Sequence, residues 1–171
     1  VSWHAMLVIG DTPMTTARLS LSLLGAFQAT LDGDAVTDFA SDSTRALLAY
    51  LAMHPGIAHR RETLAGLLWP EVPEADARRN LRVTLSRLRD AIRDREIQPP
   101  FLEITRNTIA LPRDAECTAD VWRLREALEA VRSHGHVKLE TCHVCAERLQ
   151  TVGDLYRGEF LAGFTLDSAT F

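Results

Sequence analysis

The sequence predicts an α+β protein, and three observations carry that assignment. Apolar residues alternate at period two over 19–31. Three stretches of helical periodicity fill 44–94, and a second alternating pair follows at 101–111. The last third returns to helical periodicity alone. A chain ordered in this way builds a sheet, then helices, then a hairpin, then more helices, unlike the regular strand-helix alternation of a parallel sheet.

Residues 1–16 show no period and contain Gly10, Asp11 and Pro13, so a loose leader or cloning remnant is expected there. In 18–39, Leu19, Leu21 and Leu23 alternate with Ser20 and Ser22, and the pattern resumes after Gly25 with Phe27, Ala29 and Leu31. Asp32-Gly33 is a strong hairpin signal. A small antiparallel sheet is expected, with a bulge at Gly25 and a short return strand at 36–39. Ser41 or Ser43 can cap a helix over 44–53 that turns Leu47, Leu48 and Leu51 to one side and ends at Pro55-Gly56. A second helix over 61–69 would bury Leu64, Leu67 and Leu68, with Trp69 as an anchor before Pro70.

Pro73 stands where a proline can open the third helix, 74–94. Leu81, Leu85, Leu88 and Ile92 recur at i, i+4, i+7 and i+11, so one side faces a core. The opposite side carries Arg79, Val83, Ser86, Arg87 and Asp90, flanked by Arg82, Arg89 and Arg93. Between 78 and 93 there are six arginines against one acid. Such a helix suits the DNA major groove, which is wide enough to admit it. A solvated amphipathic helix is the plainer alternative, and the neighbouring elements decide between the two. After Pro99-Pro100, the alternating stretches 101–105 and 108–111 flank Arg106-Asn107, giving a hairpin with a cation at its tip. Sheet, three helices and hairpin together make a winged helix-turn-helix, with 105–108 as the wing. The loop 70–73 with Glu71 and Glu74 is acidic, is repelled by phosphate, and is expected to face away from DNA and toward protein.

In the last third, Asp120 can cap a helix over 121–133 that aligns Val121, Leu124, Leu128 and Val131. A second helix over 140–156 would turn Val144, Leu149, Val152 and Leu155 toward it, forming an all-α, tetratricopeptide-like helical hairpin. Repeats of that kind need stacking neighbours, so further C-terminal domains are expected.

Composition narrows the function. With 46% apolar and 25% charged residues the chain reads as soluble and globular. Its net charge of −4 argues against polyanion binding by the whole surface, and from Asp114 onward ten acids face six bases. Basic function, if any, is therefore local. Three cysteines without a secretory signal suggest a reducing, cytoplasmic setting, and no stretch is long enough for a bilayer partner. Cys142 and Cys145, spaced CxxC, could hold zinc with His134, His136 or Cys117. The ordinary alternative is a pair of small buried residues, and no metal or cofactor is expected. Nucleophile, base and orienting acid are not found at recognisable spacing, nor is a glycine loop for phosphate, so no catalytic residues and no enzyme are expected.

The strings STRALLAYLAMHPG, LAGLLWPE, ARRNLRVTLSRLRDAI and ITRNTIAL resemble the winged-helix domain of antibiotic-regulatory-protein-type (SARP-like) bacterial activators. ADVWRLREAL and LYRGEFLAGF resemble the start of the bacterial transcriptional activation domain that follows an OmpR-like winged helix in that family. The resemblance implies a winged-helix domain over 17–114, a helical activation domain beginning at 115, and transcriptional activation from promoter DNA. It implies that the 74–94 helix reads bases through Arg79, Val83, Ser86 and Arg87, while Arg78, Arg82, Arg89 and Arg93 meet phosphates. Arg106 and Asn107 would form the wing, and Glu71 and Glu74 would contact RNA polymerase or a second protomer bound on a direct repeat. Relatives often carry a basic residue beside the first helical cap, whereas here only Arg45 follows. Two alternatives stand beside this expectation: a helical-repeat interaction scaffold without specific DNA binding, and a metal-responsive regulator governed by the CxxC pair.

Overall fold

The structure is a computed structural model that describes residues 17–135 and 141–165. The expected leader and His136 lie outside the described residues.

β1 (Leu19–Ser22) and β2 (Gln28–Leu31) pair antiparallel, with Leu19 opposite Leu31 and Leu21 opposite Ala29. The period-two residues thus share one buried face. Asp32 and Gly33 both have positive φ, as a two-residue hairpin requires, and lead straight into β3 (Asp34–Ala35). The return strand expected at 36–39 does not form, because so tight a turn starts the pairing at Asp34 opposite Leu31. Val36 closes the ladder by donating to the Ala29 carbonyl at 2.9 Å, and Phe39 packs edge-on against Phe27.

A fourth strand, β7 (Cys117–Ala119), runs parallel to β1, giving the order β3-β2-β1-β7. Three residues are too few to show an alternation, which is why β7 is not visible in the sequence. Gly25 is not a bulge within a ladder. It lies in the β1–β2 connection at φ 125°, where its N–H donates to the Glu159 carbonyl at 3.1 Å and its carbonyl accepts from Ala162 N–H at 3.0 Å. The LYRGEFLAGF string therefore folds back onto the N-terminal sheet.

α1 (Asp42–Met53), α2 (Arg61–Leu68) and α3 (Glu74–Ala91) form the helical layer. Ser41 caps α1 through its carbonyl, while its hydroxyl meets the Thr44 hydroxyl at 3.0 Å. Leu47, Leu48, Leu51, Leu64, Leu68, Leu81, Leu88 and Ile92 fuse with the sheet's Leu19, Leu21 and Leu23 into one core. α3 stops at Ala91, three residues short of expectation. Arg93 adopts φ 52°, Asp94 N–H donates to the Arg89 carbonyl at 2.9 Å, and Arg93 N–H donates to the Asp90 carbonyl at 3.2 Å. That pair of bonds is a Schellman closure, formed here without the usual glycine. Beyond it, β5 (Glu103–Ile104) and β6 (Thr108–Ala110) make the expected hairpin, joined by an unexpected strand β4 (His59–Arg60) in the order β4-β6-β5.

α4 (Asp120–Ser133) docks on the end of α1: Trp122 Nε1 donates to the Ala52 carbonyl at 2.5 Å and Arg125 to the Met53 carbonyl at 3.0 Å. These donors satisfy carbonyls that a helix terminus leaves without intrahelical partners. Asp120, expected to cap α4, instead turns its buried carboxylate to Leu23 N–H and Leu24 N–H, both at 2.9 Å, and to Val121 N–H at 2.8 Å. Buried backbone donors need acceptors, and a carboxylate is the strongest one available. α5 (His143–Gly153) packs on α4 and is shorter than the 140–156 span expected. Val144, expected inside, is 47% exposed, while Cys145, one position round the helix, is fully buried. Among the described residues no helix is long and apolar enough to cross a membrane.

Candidate nucleic-acid interface

α3 divides as a core-seated helix must. Ala77, Leu81, Thr84, Leu85 and Leu88 are buried, and Arg78, Arg79, Arg82, Val83 and Arg87 are exposed on the other side. Val83, at 44% exposure, is an apolar side chain held out to solvent amid guanidinium groups. The arginines differ in what already engages them. Arg78 pairs with Glu74 and lies 3.7 Å from Glu62, and Arg79 lies 3.3 Å from Asp76. Among the described residues Arg82, Arg87, Arg93 and Arg106 are exposed and make no ion pair, although Arg87 and Arg93 line a groove with Asp32, Asp34, Asp38 and Asp90. Asp90, the single acid on this side, is paired with Arg95, whose second Nη donates to Ser86 Oγ at 3.0 Å. Ser86 is thus half-buried beneath Arg95.

Arg89 stands apart from the other arginines. Its Nε donates to Asp94 Oδ2 at 2.7 Å, and Asp94 Oδ1 accepts from Leu102 N–H at 2.9 Å. The Asp94 side chain is wholly buried, so this carboxylate ties the last turn of α3 to the root of the wing.

The wing tip is held by its own hydroxyls. Thr105 Oγ1 accepts from Asn107 N–H at 3.2 Å and Thr108 N–H at 2.9 Å, and meets Thr108 Oγ1 at 2.7 Å. Arg106 and Asn107 are exposed on this rigid turn. The Asn107 carbonyl accepts from Arg61 N–H at 2.9 Å, and Arg60 lies opposite Thr108 in the β4–β6 pair. The backbone pairing thereby sets Arg60 and Arg61 beside the turn that carries Arg106, a juxtaposition invisible in the sequence because β4 is only two residues long.

Residues 40–108 match the family described as "Transcriptional regulatory protein, C terminal", over the span from just before α1 to the wing tip. Over that span, α1 to α3 and the wing are similar to the OmpR-like winged helix of that family. The similarity runs beyond the winged helix: the chain is 32% identical over 151 residues, 86% of its length, to the regulatory protein AfsR of Streptomyces coelicolor. Among solved structures it matches Mycobacterium tuberculosis EmbR, in complex with a low affinity phosphopeptide. That match has a TM-score of 0.67 and 27% identity over 85% of this chain. It spans 14% of the length of AfsR and 38% of the EmbR chain. Both similarities accord with the SARP-like resemblance of its LLWP and LYRGEFLAGF strings.

In the winged helix, Glu71 is exposed between α2 and α3, and Glu74, also exposed, is engaged by Arg78. His59 of β4 sits against the rings of Tyr50 and His54, and its pKa is lowered, first by burial and then by repulsion from His54. The cysteines separate. Cys117, offered by the sequence as a partner for the CxxC pair, lies in β7 opposite Leu19, where burial pushes its thiol up to about 12. It is therefore no part of the group that draws His134, Cys142 and Cys145 together at the α4–α5 turn.

Proposed function

We propose that the chain is the DNA-binding part of a sequence-specific, non-enzymatic transcriptional activator acting in the cytoplasm. Its winged helix occupies 17–114, and the start of a helical activation domain follows from 115. What carries this reading is the exposed side of α3, where Arg82, Val83 and Arg87 stand outward and, among the described residues, Arg82 and Arg87 make no ion pair. α3 enters the major groove. Arg79 and Arg87 read base edges, Ser86 stands beneath Arg95 on the same side, and Val83 meets a thymine methyl. Arg78, Arg82 and Arg93 contact phosphates, while the wing residues Arg106 and Asn107 reach the adjacent minor groove or backbone. Arg89, whose guanidinium is committed to Asp94, positions the wing instead of binding phosphate. Arg60, beside the wing, adds a further cation. Glu71 and Glu74 face RNA polymerase or a second protomer on a direct repeat.

The experiment is a comparison of selected and random duplexes by fluorescence anisotropy across a salt series. About five phosphate contacts give a log-log salt slope near −4 to −5. Arg87→Ala should cost about 1 to 3 kcal/mol on the selected duplex and little on random DNA, whereas Arg82→Ala should weaken both alike and flatten the slope by about one. Equal losses for both variants on both duplexes would refute the division of roles, and salt-insensitive binding would refute the interface itself.

A further inference from the structure

The turn between α4 and α5 gathers three soft donors. His134 is the C-cap residue of α4, Cys142 is the N-cap residue of α5, and Cys145 lies in its first turn. His134 Nδ1 is 3.1 Å from Cys145 Sγ and 3.5 Å from Cys142 Sγ, and all three donor atoms fall within 4.8 Å of one another. A tetrahedral zinc ion, with bonds of about 2.3 Å to sulfur and 2.0 to 2.1 Å to nitrogen, holds neighbouring N and S donors about 3.6 Å apart and two sulfurs about 3.8 Å apart. The His134–Cys142 edge of 3.5 Å matches that nitrogen–sulfur spacing, and the His134–Cys145 edge of 3.1 Å is about half an ångström short of it, to be opened as the ion enters. Its local origin is plain: an N-cap residue and the residue three positions on lie above the same side of the first turn, and the end of α4 is packed against that side.

The donor chemistry selects the ion. Two thiols and an imidazole without a carboxylate suit zinc and disfavour calcium or magnesium, which take oxygen ligands. The hairpin also needs a staple. Its buried apolar residues Val131, Cys145 and Val152 stand outside the main core cluster, so little burial holds α5 to α4. We propose that His134, Cys142 and Cys145 bind a zinc ion that clamps the end of α4 to the start of α5, with a fourth coordination position taken by a ligand outside this triad. On binding, each cysteine gives up its thiol proton to solvent, the metal takes the two thiolates and the neutral imidazole, and no redox change occurs.

The test uses the full 171-residue chain without a histidine tag. Its readout is metal content after reconstitution with zinc chloride and removal of excess ion, together with the absorption spectrum after cobalt(II) substitution. About one zinc per chain is expected, along with the thiolate-to-cobalt charge-transfer bands of a site holding two sulfurs. Cys142→Ser and His134→Ala, both at half-buried positions, should lower the bound metal at least about tenfold, and Cys117→Ser should leave it unchanged. Cys145→Ser alters a fully buried residue, so Cys142→Ser with an unchanged far-ultraviolet circular dichroism spectrum is the deciding variant. Wild-type protein that retains less than about a tenth of an equivalent, or Cys142→Ser protein that retains the wild-type load, would overturn the proposal. None of these measurements depends on DNA binding.

Discussion

Replacing Asp94 by alanine should loosen the wing and the recognition helix together. The carboxylate is fully buried and receives both Arg89 Nε, at 2.7 Å, and the buried Leu102 N–H, at 2.9 Å. Removing one partner of a buried ion pair costs about 3 to 5 kcal/mol, and an orphaned backbone N–H about 1 to 3 kcal/mol, with overlap between the two. The Arg89 side chain keeps 30% of its exposure, so water can recover part of its solvation. The low end applies, about 3 kcal/mol. For a chain of this size that corresponds to a fall in melting temperature of roughly 6 to 12 °C. Urea unfolding of the wild-type, Asp94→Ala, Arg89→Ala and double variants would measure it. The two single losses should exceed simple additivity by about 1.5 to 3 kcal/mol of coupling, and Asp94→Asn, which still offers an acceptor to Leu102, should lose about half as much as alanine. A loss below about 1 kcal/mol for Asp94→Ala, or strict additivity in the cycle, would show that this carboxylate does not hold the wing.

Two further outcomes test other parts of the fold. The lowered pKa of His59 means that the folded state favours its neutral form; the stability tied to this is complete above the unfolded value of 6.5 and declines as pH falls through the folded pKa. The urea midpoint should therefore drop from pH 7.5 to pH 5, and His59→Gln should flatten that drop; an unaltered pH profile would remove His59 from the account. Gly25→Ala should cost about 2 kcal/mol or more, because φ 125° is strained for a side chain and the new Cβ would lie 3.0 Å from Arg157 Cβ. Gly33→Ala, also at positive φ but with nothing within 4 Å, bears the backbone strain alone. If the two cost the same, the contact between the sheet and 157–162 contributes nothing measurable.

The sequence by itself determined the order of elements and the sidedness of the helices, since both follow from spacing along one segment. Leu81, Leu85 and Leu88 had to face a core, which left Arg82, Val83 and Arg87 outside whatever the partner elements were. Asp32-Gly33 announced its own turn, and the LLWP and LYRGEFLAGF strings pointed to the family. Only the tertiary structure decided what each charge does. Arg89 and Arg87 look equivalent along the chain, yet one meets a buried carboxylate five residues on, across a helix end closed by Arg93 at positive φ, and the other meets solvent. Asp120 looks like a helix cap, yet its carboxylate serves amides 96 and 97 residues away in sequence. β4 and β7 exist only because β6 and β1 offer edges to pair with. Periodicity is a local property that burial on one side of a helix or strand imprints on neighbouring residues. Hydrogen bonds and ion pairs between distant segments leave no such imprint, and here they fix the wing, the sheet edge and the cluster at the α4–α5 turn.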